Sequence, residues 1–192
     1  MIIKNLIPKE FCQYFTHVLL RNIDLQEGSE YNKTGVDPQA PKCRSYMDHH
    51  IIFETLQERL WDRVEGHVGR PLIPTYAYAR LYENGEVLET HVDRPACEVS
   101  VTLQLGRSHH YSYPIYLEGQ RVDLAEGDGL LYLGKEQKHW RDKCDGPDGY
   151  YSGQVFLHYV YADGEHADEG GDKNFRDLYS YRKNRTELME IK

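Results

Sequence analysis

Between Tyr76 and Tyr161 the chain is cut into short pieces by glycine-bearing turns, and the pieces alternate apolar with polar side chains. Tyr76 to Tyr82 alternates, Asn84-Gly85 supplies a turn, and Cys97 to Leu105 alternates again with β-branched residues. A period of two sends successive side chains to opposite faces, so each piece reads as a strand with one buried face. Further strands are predicted at Tyr113 to Leu117, Gly129 to Gly134, His139 to Asp142 and Gln154 to Tyr161. Turns such as Glu118-Gly119 and Glu126-Gly127-Asp128-Gly129 separate them. Sixteen tyrosines add to the preference for strands. With helices confined to the N-terminal third, this pattern predicts a mainly β chain with N-terminal helices (α+β), its core an antiparallel double-sheet jelly roll.

Ahead of the strands, Pro8 sits where a first helical turn tolerates it, and Phe11, Tyr14, Phe15, Val18 and Leu19 recur at helical spacing. A second helix is predicted from about His49 to Val68, with Ile52, Phe53, Leu56, Leu60 and Val64 on one face and Gly69 and Pro71 to end it. Between the helices, Gly28 to Tyr46 is polar and Gly- and Pro-bearing with no apolar period, which predicts a loop. Loops of this length serve as lids or are plain surface excursions. Past Ala162 the composition turns strongly polar, with one helix expected near Asn174 to Tyr181. A chain of 192 residues reads most simply as one domain. Helical support would occupy about 1–70, the jelly-roll core about 72–161 and a polar tail 162–192.

The formal net charge of −8 argues against a nucleic-acid backbone as the default partner, because that affinity is built on clustered Lys and Arg. Cys12, Cys43, Cys97 and Cys144 show no paired spacing, so neither a zinc site nor a disulfide framework is signalled, and reduced thiols in a cytoplasm are expected. Lys4 and Asn5 interrupt the apolar start, and no later apolar run approaches a membrane span, so no membrane partner is expected. The oligomeric state is not legible.

Chemistry concentrates at His91-Val92-Asp93. Residues two apart on a strand share a face, so both side chains can enter one cavity. With one further imidazole from a distant strand, two nitrogens and a carboxylate oxygen cap one face of an octahedral Fe(II) and leave the opposite positions open. The tripeptide alone is a weak signal in a chain with ten histidines. Its setting is stronger: Tyr82-Glu83-Asn84-Gly85 precedes it and Arg94-Pro95 follows. Downstream, Gly127-Asp128-Gly129-Leu130-Leu131-Tyr132-Leu133-Gly134 leads to Lys138-His139-Trp140-Arg141 and then to Gln154-Val155-Phe156-Leu157-His158-Tyr159-Val160.

In motif order from roughly Tyr76 to Tyr161, this resembles the prolyl 4-hydroxylase-like branch of the 2-oxoglutarate and Fe(II)-dependent dioxygenases. The resemblance implies the cupin-like jelly roll, or double-stranded β-helix, of that family. It selects His139 as the third metal ligand, ahead of His109 and His110 beside Arg107 and Ser108 in a strand connection. His158 shares a face with Gln154 and Phe156 and looks into the cavity as a substrate-binding candidate. Arg94, at the cavity mouth, is the other. The implied cofactors are Fe(II) and the co-substrate 2-oxoglutarate, with ascorbate as a possible accessory. The implied reaction uses O2 to hydroxylate an unactivated C–H bond, with succinate and CO2 as co-products. The substrate would be a peptide or protein residue or a small molecule. The iron-proximal Gly-Gly strand of prolyl hydroxylases is replaced by Tyr111-Ser112-Tyr113-Pro114-Ile115-Tyr116, which weakens proline specifically. The rival reading is a non-enzymatic jelly-roll module that binds a metabolite, a sugar or a protein.

The resemblance assigns Tyr82 to 2-oxoglutarate. Relatives usually meet the far carboxylate with Arg or Lys early in the final strand, where this chain has Tyr151-Ser152-Gly153-Gln154. A buried carboxylate needs a cation or dense donors, and two arginines qualify by strand parity. Arg141 lies two residues beyond His139, and its planar fork suits a carboxylate. Arg80 lies two before Tyr82. Either arginine could instead pair with a structural acid such as Glu98. Thr102 and Gln104, alternating inward with Ser100, are further hydrogen-bond candidates for the co-substrate.

Overall fold

The computed structural model describes residues 1–27, 39–40 and 45–170. Most of the expected 28–46 loop, Cys43 and the helix expected near 174–181 lie outside the described residues. The chain forms β1 (Ile2–Ile3), α1 (Lys9–Glu27), β2 (Ser45–Asp48), α2 (Ile51–Val68), β3 (Leu72–Glu83) and β4 (Leu88–His91). It continues with β5 (Val99–Arg107), β6 (Ile115–Leu117), β7 (Gln120–Val122), β8 (Gly129–Tyr132), β9 (His139–Arg141) and β10 (Tyr151–Tyr161). Every strand pairing is antiparallel. A six-stranded sheet runs β1-β8-β5-β10-β3-β2 and a four-stranded sheet runs β4-β9-β6-β7, which is the jelly roll the alternation predicts.

Parity divides the large sheet. Ala77, Ala79 and Leu81 of β3, Val101, Leu103 and Leu105 of β5, and Val155, Leu157 and Tyr159 of β10 all face the helices and join one apolar cluster with them. Burial of each large side chain of this kind contributes about 1.5–3 kcal/mol. The opposite parity carries Arg80, Tyr82, Ser100, Thr102, Gln104, Gln154 and His158, all buried and turned toward the small sheet.

The helices fold as their sequences suggest, with local corrections. On α1 the buried stripe is Cys12, Phe15, Thr16, Leu19 and Ile23, whereas Phe11 and Tyr14, expected inside, are 53% and 59% exposed. The helix is rotated by a close approach to β5. Thr16 Oγ1 accepts the Gly106 N–H at 2.8 Å and donates to the Cys12 carbonyl, and a Cβ at position 106 would crowd that hydroxyl. Helix α2 starts at Ile51, after His50 caps it by accepting the Ile52 N–H through Nδ1. It ends at Gly69, whose φ of 73° is left-handed and suits glycine.

The end of the expected loop and the two residues after it are instead β2, an edge strand paired with Tyr78 to Leu81 of β3, and α2 starts two residues later than the expected His49. Ser45-Tyr46-Met47-Asp48 lacks apolar alternation, because an edge strand can be held by backbone pairing alone. Strand β7, three residues long at the other sheet's edge, has no signal for the same reason, whereas the extended start and the strand expected at His91 form as β1 and β4. Pro95 turns Pro95–Cys97 into a 3-10 turn, so β5 begins at Val99 rather than Cys97. Among the described residues no helix is long and apolar enough to cross a membrane.

Candidate metal centre

His91 closes β4 and His139 opens β9, and the two residues are direct cross-strand partners. Their rings stand side by side with centroids 4.3 Å apart. Asp93 lies just past the end of β4, not within it as a continuous strand would have it. Its N–H donates to the Gly134 carbonyl at 2.8 Å, which turns the carboxylate back toward the pair. Gly134 has to be glycine, since a Cβ there would collide with Asp93 Oδ2, the Cys97 carbonyl and Ser100 Oγ. Asp93 Oδ1 stands 3.5 Å from His91 Nε2 and 3.5 Å from His139 Nε2. One donor atom from each of the three falls within 4.8 Å of the others.

The far nitrogens are tied down. His91 Nδ1 meets the Glu89 carbonyl at 2.7 Å and His139 Nδ1 meets the Gln137 carbonyl at 2.9 Å. A carbonyl only accepts, so each ring carries its proton on Nδ1 and turns the Nε2 lone pair inward, as metal-binding imidazoles do. Burial pushes the Asp93 carboxyl up, but His139 and His91, then His158, outweigh it and hold the group well below the usual carboxylate range. The Asp93 hydrogen bond raises His91 in turn.

Behind the triad lies a layer in which the sequence marks His158 and, by strand parity, Ser100, but not Tyr132 or Cys97. Ser100 Oγ donates to Asp93 Oδ2 at 3.2 Å and lies 3.0 Å from His158 Nδ1. Burial pushes His158 down to about 4, so it stays neutral near pH 7. Strand parity with Thr102 and Gln104 flags Ser100. Tyr132 sets its ring edge-on to His139 at 4.9 Å, and Cys97 Sγ lies 3.2 Å from the Tyr76 hydroxyl.

The triad opens into a cavity of about 500 Å³ whose walls include Arg80, Arg94, Tyr76, Tyr78, Phe156 and His158. The Arg94 guanidinium lies 4.6 Å over the Tyr76 ring. Arg80 donates to the Tyr82 hydroxyl at 2.8 Å and to Gln39 Oε1 at 3.2 Å. Arg141 is 1% exposed and does not line the cavity. It donates to the Tyr113 carbonyl and to Gln154 Oε1, and its Nε has no hydrogen-bond partner among the described residues. The two guanidinium groups flank the Tyr82 ring, each 5.3 Å from its centroid.

Gln154 donates on to Gln104 Oε1 at 3.2 Å, while the Gln104 amide serves Ser152 and backbone carbonyls. Thr102 Oγ1 is 3.3 Å from the Tyr132 hydroxyl. Glu98 accepts the Tyr161 N–H and is not the acid that neutralises Arg141. His109 and His110 are exposed, away from the cavity walls.

No protein-family model matches the sequence, and no curated protein matches it. Solved structures do match. A Pseudomonas putida prolyl-4-hydroxylase shares 14% identity over 82% of this chain and 91% of its own, with a TM-score of 0.58. HygX from Streptomyces hygroscopicus, with nickel and 2-oxoglutarate bound, shares 16% over 89% and 90%, with a TM-score of 0.61. EctD from S. alaskensis, with bound Fe, shares 10% over 84% and 72%, with a TM-score of 0.63. Likeness at these identities is a likeness of architecture, a double-stranded β-helix shared with these three proteins.

Proposed function

We propose that this protein is an Fe(II)- and 2-oxoglutarate-dependent dioxygenase that hydroxylates an unactivated C–H bond. The observation that carries the reading is the convergence of His91, Asp93 and His139, with both imidazole tautomers fixed so that their lone pairs face one point. Two borderline nitrogens and one hard oxygen on a single side suit Fe(II), and the cavity on the other side leaves room for exchangeable ligands. When bound, the iron with 2-oxoglutarate and O2 supplies the oxidising power, yielding succinate and CO2 beside the hydroxylated product.

The chain's own residues bind, orient and exclude water. Arg80 opens on the cavity and donates to the hydroxyl of the fully buried Tyr82, so a carboxylate entering from the metal side meets Arg80. Arg141 lies in the interior and, among the described residues, has only neutral acceptors and an Nε without a hydrogen-bond partner. A buried cation held by neutral groups is costly, and a co-substrate carboxylate would offset that cost. Arg141 is the principal counter-ion in this reading although it stands beside the buried Tyr82 ring and off the cavity wall, with Arg80 as the donor on the cavity side. Gln154 and Gln104 hold Arg141 in place rather than reaching the ligand. Arg94 and His158, on the cavity wall, address the substrate, which is a peptide or protein residue or a small molecule.

Anaerobic addition of Fe(II) and 2-oxoglutarate is expected to produce a visible charge-transfer band. His91→Ala should abolish it, and Arg141→Met should raise the 2-oxoglutarate concentration needed while leaving Fe(II) affinity unchanged. A folded protein that gives no band overturns the oxygenase reading in favour of a binding module. An unchanged 2-oxoglutarate requirement in Arg141→Met, with a raised one in Arg80→Met, moves the counter-ion to Arg80.

A further inference from the structure

Asp93 belongs to two donor sets. Its Oδ1 faces His91 and His139, while its Oδ2 faces Ser100. A ligand atom each from Asp93, Cys97 and His158 also falls within 4.8 Å of the others, which makes a second donor set that shares the Asp93 carboxylate. All three residues line the cavity, so an ion reaching the first set has access to the second. The chemistry of the two sets differs. The first offers two nitrogens and an oxygen, whereas the second offers sulfur, nitrogen and oxygen, a combination that selects thiophilic divalent ions over Fe(II).

We propose that Cys97, His158 and Asp93 Oδ2 form a second metal site that takes a thiophilic divalent ion such as Zn²⁺, with the Asp93 carboxylate bridging it to the His91–Asp93–His139 site. Carboxylate-bridged sites hold two ions about 3.5–4 Å apart, which fits two donor sets on opposite oxygens of one side chain. Zn–S and Zn–N bonds of about 2.3 and 2.0 Å require donors about 3.5 Å apart, so the three side chains draw together on binding wherever they stand further apart than that. On binding, the Cys97 S–H bond breaks, its proton leaves to solvent and its electron pair goes to the metal. The Tyr76 hydroxyl, 3.2 Å from Cys97 Sγ, then donates to the coordinated sulfur. Ser100 cannot donate its single proton to both neighbours. Asp93 Oδ2 and the Cys97 carbonyl, each 3.2 Å away, only accept, so the proton goes to one of these and His158 donates from Nδ1 to Ser100, retaining a lone pair on its other nitrogen.

The test is a titration of the metal-free full-length protein with Co²⁺, in the absence of oxygen and of any co-substrate. Wild type should bind a second equivalent that brings a near-ultraviolet sulfur-to-cobalt charge-transfer absorption. His91→Ala should lose the first equivalent and keep the sulfur absorption. Cys97→Ser should lose the sulfur absorption while keeping the first equivalent, which also shows that it has folded. His158→Gln should weaken the second equivalent by at least about tenfold. Wild type saturating without sulfur absorption overturns the proposal, and so does an absorption that survives Cys97→Ser. Should Cys97→Ser lose both equivalents, His158→Gln decides. Selective weakening supports the second site and an unchanged titration removes it. The oxygenase reading depends on His91 and His139 instead, so the two can fail independently.

Discussion

The two faces of β3, β5 and β10 are built from alternate residues of the same strands, yet they are spent differently. The outer face, with Leu81, Leu103, Val155 and Leu157, is uniformly apolar and sealed by α1 and α2. The inner face buries Arg80, Gln104, Gln154, Ser100 and His158 as deeply, although polar groups gain little net free energy from burial. The difference teaches that stability in this molecule resides on one parity and chemistry on the other. A substitution should therefore affect folding or metal chemistry according to whether its residue number belongs to one set or the other.

The largest expected effect falls on the triad that the inner face surrounds. Asp93→Ala removes the oxygen shared by both imidazoles, and Fe(II) binding, followed by the anaerobic charge-transfer band with 2-oxoglutarate, is expected to disappear. Urea unfolding of the metal-free variant should shift by less than that of any large-to-small change on the outer face. Leu157→Ala is the matching outer-face change. Leu157 is fully buried in the apolar cluster, and the loss should cost about 2–5 kcal/mol of unfolding free energy. The metal stoichiometry of the folded fraction should be unaltered. Equal stability losses from the two variants would remove the distinction between the faces.

The same parity explains what was readable beforehand. Alternation in Tyr76 to Tyr82 and in β5 gave strands, faces and the jelly roll, because burial on one side forces a period of two. His91 and Asp93 were readable from their spacing, and His139 from the family resemblance. Ser100 is readable only as an inward-facing residue, and Cys97 and Tyr132 not as site residues at all, because their roles depend on register between distant strands, such as Ser100 opposite Tyr132 and His158. The exposure of Phe11 and Tyr14 was illegible for a related reason. The rotation of α1 is set by Thr16 meeting Gly106, a contact between residues ninety positions apart.

A pH titration sharpens the comparison at intermediate magnitude. In the folded protein His158 is pushed down to about 4 by burial, below the value near 6.5 of an unfolded chain. The unfolded state therefore takes the proton first. The contribution of His158 is fully present above about pH 6.5 and is lost as pH falls toward about 4, a change on the order of 3 kcal/mol. His91, raised by Asp93, acts in the opposite sense and above that window, since its contribution is lost as pH rises through its folded value. Asp93, held low, acts below the window, where protonation of the unfolded carboxylate begins. Denaturation of metal-free wild type and His158→Gln between pH 7 and 4 should show the variant losing distinctly less stability. Parallel curves would show that another group carries the dependence.

The smallest effect concerns Ser100, where the two faces are closest to trading roles. Its hydroxyl is the link between Asp93 Oδ2 and His158, and its backbone sits in β5 between Val99 and Val101, which face the helices. Ser100→Ala removes a hydroxyl and adds no volume, so the apolar packing behind it is untouched and the strand pairing with β8 and β10 persists. What changes is orientation, because Oδ2 loses a donor and the carboxylate gains freedom to rotate away from the two imidazoles. Outer hydrogen bonds of this kind are worth about tenfold or more in metal affinity. Fe(II) affinity of Ser100→Ala should accordingly fall by about tenfold, with the unfolding midpoint nearly unchanged, while Ser100→Thr, which keeps the hydroxyl, should recover most of the affinity if its methyl is tolerated. A drop in unfolding midpoint as large as that of Leu157→Ala would place Ser100 among the residues that hold the fold, and the separation of stability from chemistry by parity would fail at the one position where both are in contact.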